Sequence, residues 1–178
     1  NIFRFTYTSP TTPSQVFDYN LSSGKRALRK TQEIPSGHNP HDYVTVRKMA
    51  TSHDGTQVPV TLLYHQDTPL DGTAPCLLYA YGSYGMSMPA SFSSGRLSLV
   101  NRGFIYAIAH VRGGEEMGRN WYEASKFSGK PNTFHDFIAV AQYLITERYT
   151  ATARIVIQGG SAGGLLVGAA LNMRPDLW

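Results

Sequence analysis

Cysteine is almost absent from this chain. Cys76 is the only one among 178 residues, so no internal disulfide can form and the fold must rest on a packed core. Its neighbours Leu77 and Leu78 mark it as a buried structural thiol. No apolar run reaches the roughly 18 residues of a membrane-crossing helix, so no membrane partner is expected. Charge of one sign does not accumulate either: 16 Lys and Arg against 12 Asp and Glu leave +4. The one dense basic group, Lys25, Arg26, Arg29 and Lys30 around Leu28, reads as a solvated strand edge, and no nucleic-acid-binding motif accompanies it. His38 and His41 flank Pro40, which breaks a helix, and no Cys or His cluster completes a metal site. Neither a metal nor a cofactor is expected. The chain starts at Asn1 rather than Met and stops at Trp178, just past a helix end at Arg174-Pro175. Both ends are expected to be cuts from something longer, so the lack of a leader says little about export. The sequence sets no oligomeric state.

What is present centres on Gly159-Gly160-Ser161-Ala162-Gly163-Gly164. It follows the apolar run Ile155-Val156-Ile157 and opens a helix-like stretch from Leu165 to Met173, so G-x-S-x-G falls between a strand and a helix. A serine hydroxyl attacks a carbonyl only when it is exposed, fixed in orientation and set beside a base. A sharp strand-to-helix turn gives the exposure, and close backbone approaches around it require glycine on both sides. The following helix directs its first N–H groups at the place where negative charge develops in acyl transfer. A phosphate cradle is the weaker reading, because no Lys follows the glycines and no G-x-G-x-x-G is present. Ser161 is the expected nucleophile.

Three zones precede it. Residues 1–36 alternate short β-like runs, Ile2 to Tyr7 and Gln15 to Tyr19, with turn clusters. Two or three short strands cannot bury a core alone, so this zone reads as the end of a larger β unit. Residues 37–42 read as the last stretch of a breaker-rich linker that begins near Ile34. From Tyr43 onward, strands are expected over Val44–Met49 and Gln57–Tyr64 around a hairpin signal at His53-Asp54-Gly55. Further strands follow at Pro75–Tyr81, Phe104–His110 and Arg154–Gln158. A short helix over Ser93–Arg102 ends before Gly103. A longer one over Thr133–Arg148 shows a stripe at Phe134, Phe137, Ile138, Ala141, Leu144 and Ile145. Asn132 or Thr133 is expected to cap it, with Asp136 facing the positive end of its dipole. The apolar helix after Ser161 is expected to be buried in a larger body. The alternation implies an α/β fold, a parallel sheet with crossover helices, and residues 43–178 read as the first half of an α/β-hydrolase domain.

In that fold the triad runs Ser, then Asp or Glu, then His. All six histidines here precede Ser161, so the acid and the base are expected beyond Trp178 and the segment alone is expected to be inactive. His110 and His135 are assigned packing or solvent-facing roles. The oxyanion hole needs the amide of Ala162 and a second donor from the loop after the third strand. That loop, Tyr79-Ala80-Tyr81-Gly82-Ser83-Tyr84-Gly85, offers tyrosine hydroxyls. By position alone, an oxyanion phenol and an ordinary packing tyrosine fit equally.

The tyrosine loop, Arg112-Gly113-Gly114-Glu115-Glu116-Met117-Gly118, the Ser161 turn with Leu165-Leu166, and Asn172-Met173-Arg174-Pro175-Asp176-Leu177 together resemble the prolyl oligopeptidase family. Within it they are most similar to oligopeptidase B. The resemblance spans essentially the whole chain. It implies the last strands of a β-propeller (1–36), a linker (37–42) and part of an α/β-hydrolase peptidase domain (43–178). It also implies a cytosolic serine endopeptidase acting on short peptides after Arg or Lys. By the same resemblance Ser161 is the nucleophile, Tyr81 and the Ala162 amide are the oxyanion donors, Tyr84 lies near the substrate pocket, and the Arg112 turn is architectural. Two positions depart from the pattern. Glu115 replaces a third glycine, and Met86–Phe92 carries none of the carboxylates that hold a second basic residue in several bacterial relatives. Cleavage after Pro and a non-catalytic binding module remain the alternatives; Ala162, where a polar residue follows the serine in Pro-specific enzymes, weighs against the former.

Overall fold

Strand alternation and turn chemistry produce two separate sheets in the computed structural model, which describes residues 1–178. The first is antiparallel, in the order β1 (Ile2–Ser9), β2 (Thr12–Asn20), β3 (Arg26–Thr31). Its strands run further than the expected ones, since only Pro10 and Thr11 form the first turn. β3 is fully exposed, as expected of the basic edge. Asp18 on β2 takes both Arg4 and Arg29 at 2.7 and 2.8 Å, and the Arg4 hydrogen bonds foremost hold its pKa down at about 2. A 3₁₀ turn, Pro40–Asp42, capped by the Asn39 side chain, leads into the second sheet.

The second sheet has the order β4 (Tyr43–Thr51), β5 (Gln57–His65), β7 (Ile105–Ala109), β6 (Cys76–Tyr79), β8 (Ile155–Gln158). It is mixed rather than parallel throughout. The β4–β5 and β5–β7 pairings are antiparallel, and only β7, β6 and β8 run together. The hairpin at Gly55 (φ 83°) reverses the chain, and β7 then inserts between β5 and β6. Alternation of strands and helices cannot foresee that insertion.

Helices cover both faces. α1 (Ser94–Val100), capped by Ser93, packs Leu97 and Val100 against Leu63, Tyr106 and Ile108. On the other face, α3 (Pro131–Thr146) and α4 (Ala162–Met173) close a core of Val58, Val60, Leu62, Leu78, Ile105 and Phe137, among others. Cys76 lies in that core and burial pushes its thiol up to about 12, which keeps it protonated and unreactive. α2 (Arg119–Glu123), a single turn, has no apolar periodicity from which to predict it.

One expectation for the helices is corrected. α3 starts two residues early, on Pro131, whose fixed φ suits the first helical position, so Asn132 and Thr133 lie inside the first turn and cap nothing. Within this chain α4 buries Gly163, Leu166 and Ala170, with Trp178 Nε1 donating to the Ala170 carbonyl, and leaves Leu165 and Leu171 exposed.

Candidate active site

The carboxyl ends of β6, β7 and β8 meet at one edge of the sheet, where α/β folds gather their reactive groups. β6 runs into the tyrosine loop, β7 into the Arg112 turn and β8 into the Ser161 turn. Ser161 is exposed and sits at φ 54°, ψ −119°. For a residue with a side chain this region costs about 1–3 kcal/mol and survives only where the surroundings enforce it. Here they do so by backbone contact. A Cβ on Gly159 would stand 2.3 Å from the Gly163 carbonyl oxygen, and one on Gly163 would stand 2.9 Å from the Ala80 oxygen. Gly160, by contrast, faces open space. The turn closes with Gly163 N–H donating to the Gly160 carbonyl and Gly164 N–H to that of Ser161. The serine side chain caps nothing and is left free.

The tyrosine loop abuts this turn. The Tyr81 Cα lies 3.5 Å from the position of a Gly163 Cβ, so Tyr81 rests against the first turn of α4. Tyr84 is 75% exposed at φ 58°, with its ring centroid 6.5 Å from that of Tyr81. Tyr84 also lines a cleft of about 260 Å³ with Ala162, Leu165, Tyr122 and Phe127. The four residues singled out in the sequence (Ser161, Ala162, Tyr81 and Tyr84) therefore stand at one end of the sheet.

Gly113 explains the glycine-rich Arg112 turn. Its φ is 107°, and a Cβ there would fall 2.1 Å from the Gly82 oxygen, so no other residue lets the two loops lie together. Gly85 N–H donates to the Gly113 carbonyl at 2.9 Å. Glu115, at the departure from the family pattern, pairs with Arg119 at 2.9 Å and packs beneath Gly85. Glu116 turns inward and accepts from the Met88 N–H at 2.9 Å. The segment that lacks carboxylates of its own is thus held by one from the neighbouring turn.

Beneath the loops lies a buried ion-pair network that local sequence reading misses. Arg112 donates through Nε and Nη2 to both oxygens of Asp136, at 2.8 and 2.6 Å, and through Nη1 to Asp54 at 2.6 Å. Ser52 and the Arg112 N–H complete the shell of Asp136. The Arg112 hydrogen bond holds the Asp54 carboxyl well below the usual carboxylate range, and that of Asp136 raises the guanidinium further. Asp136 is wholly buried and serves this pair rather than the helix dipole. Thr133 Oγ1 donates to the Arg112 carbonyl at 2.8 Å.

Neither tempting histidine is placed as a base. His110 is buried, with Nε2 2.9 Å from Thr61 Oγ1 and Nδ1 3.4 Å from Glu116. His135 stacks on His53 in a separate cleft of about 350 Å³ near the far end of α4.

The sequence profile of the prolyl oligopeptidase family matches residues 90–178. Dipeptidyl aminopeptidase BI of Pseudoxanthomonas mexicana is 51% identical over 97% of this chain and 24% of its own length. Protease 2 of Moraxella lacunata is 41% identical over 97% of the chain and 25% of its own. Among solved structures, oligopeptidase B from Trypanosoma brucei, with antipain covalently bound, superposes with a TM-score of 0.94 at 49% identity. That match covers 99% of this chain and 25% of the other. The chain thus spans about a quarter of the length of these relatives. No helix is long and apolar enough to cross a membrane. Sequence profile, relatives and superposition agree with the motifs at the sheet edge: the chain belongs to the prolyl oligopeptidase family of serine peptidases.

Proposed function

We propose that the protein is a cytosolic oligopeptidase that hydrolyses short peptides through an acyl-enzyme on Ser161. One observation carries the reading: an exposed serine held in a strained conformation between β8 and α4. In this mechanism Ser161 Oγ attacks the scissile carbonyl while a histidine, oriented by an acid, takes its proton; both come from outside residues 1–178. The Tyr81 hydroxyl and the Ala162 N–H donate to the oxyanion of the tetrahedral intermediate. The amine leaves with the proton, and water then releases the acid product and frees the serine. Residues 1–36 are the end of a propeller that limits substrate size, 37–42 the linker, and 43–178 part of the catalytic domain. Alone, this segment is inactive.

Cleavage after Arg or Lys is the preferred specificity, supported by the likeness to oligopeptidase B of Trypanosoma brucei. Tyr84 lies against the bound residue. A second reading has its own support. The 51% identical relative is a dipeptidyl aminopeptidase, which points to removal of dipeptides from a free N-terminus. The complete gene product, assayed on fluorogenic peptides ending in Arg or Pro with free or blocked N-termini, separates the two. Turnover of blocked Arg peptides, abolished by Ser161→Ala, is the expected result. Turnover confined to free N-termini selects the aminopeptidase reading, and turnover of Pro peptides alone overturns the basic specificity. No turnover from a folded protein overturns the enzyme in favour of a binding module.

A further inference from the structure

Lys130 stands at the entrance to α3, where neither the motifs nor the peptidase chemistry assigns it a role. Its ammonium donates to the Gly82 carbonyl at 2.5 Å and to Ser83 Oγ at 2.7 Å. These two residues lie between Tyr81 and Tyr84. Lys130 is half-buried, and burial alone lowers its pKa, with no carboxylate opposing the effect. A cation placed there at a desolvation cost, with its hydrogen bonds directed at one loop, is spent on holding that loop.

The loop needs holding. Tyr84 adopts a positive φ of 58° that its side chain disfavours, next to a turn that Gly82 makes at φ 67°, so the segment after Ser83 is strained. Its other neighbours act as walls. A Cβ on Gly82 would lie 2.5 Å from Thr133 Cγ2 and 2.7 Å from Val111 Cγ2, and the Gly82 oxygen fills the space over Gly113. Walls stop the loop from moving inward but do not draw it down. Lys130 supplies the attraction from α3, and Gly85 N–H to the Gly113 carbonyl supplies the other tether.

We infer that Lys130 is a positioning residue for the oxyanion hole: by clamping Gly82 and Ser83 onto α3 it fixes the point from which the Tyr81 hydroxyl donates. The inference rests on the peptidase reading and on Tyr81 as donor. Misplacing a catalytic group by about 1 Å can cost on the order of 100-fold in rate. The clamp acts on a group used in the transition state, so its loss falls on kcat and not on KM.

The test is steady-state kinetics of the complete gene product as wild type, Lys130→Met, Tyr81→Phe and the double variant. Lys130→Met is expected to lower kcat by about 10- to 100-fold with KM within about twofold. In the Tyr81→Phe background the same change is expected to cost less than about threefold, because the group it positions is gone. Multiplying losses, or a raised KM with unchanged kcat, would overturn the assignment alone. Should Lys130→Met fail to fold, Ser83→Ala, which deletes one of the two contacts, carries the same cycle with a loss of about two- to tenfold. A wild type that neither cleaves peptides nor reacts at Ser161 with a fluorophosphonate would overturn the peptidase reading and this assignment together.

Discussion

Individual glycines decide whether the Ser161 turn can exist. Gly159 and Gly163 lie against backbone atoms that cannot yield, while Gly160 faces open space. These three of the four flanking glycines are therefore unequal, although the sequence presents them alike. Gly159→Ala or Gly163→Ala should separate the turn from α4 or from Ala80 and lower kcat/KM by about 100-fold or more. Gly160→Ala should stay within about threefold of wild type. Equal losses at all three positions would show that backbone contact does not set the turn. The need for glycine on both sides of the serine was legible from G-x-S-x-G. Which glycine touches what was not, because the contacts run to Ala80 and across the turn.

Elements behaved differently from single residues. The stripe on α3 from Phe134 to Ile145 was plain, since a period of 3.6 survives in any context. The start of the helix was misread because Pro131 overrides the capping preference of Asn132 and Thr133. Asp136 was misread for a different reason: its partner Arg112 lies 24 residues earlier, beyond any local pattern. α3 therefore acts as a bracket. Asp136 grips the Arg112 turn, Thr133 its carbonyl, and Lys130 the tyrosine loop. Asp136→Ala would leave the buried Arg112 with only Asp54 and Ser52. Breaking a buried pair this way typically costs about 3–5 kcal/mol, and the expected outcome is a clear drop in the unfolding midpoint. A shift equivalent to less than about 1 kcal/mol would mean that Asp54 alone suffices. The pH dependence has a definite sign. The Asp54 pKa is depressed in the fold, so its contribution is complete above its unfolded value, near 4, and is lost as pH falls further.

At the scale of the molecule, one sheet edge collects three loops that are far apart in sequence, and their meeting is what makes the chain a candidate catalyst. The fold class was legible because strands and helices alternate from Pro75 onward. The strand order was not, because the insertion of β7 between β5 and β6 leaves no local trace. The central claim is that this edge presents a nucleophile at Ser161. The most direct test treats the complete gene product with a fluorophosphonate and maps the adduct by mass spectrometry, with Ser161→Ala alongside. A single adduct on the peptide containing Ser161, absent from the variant, is the expected result. An adduct that persists in Ser161→Ala, or a folded protein that takes up no reagent, would contradict it.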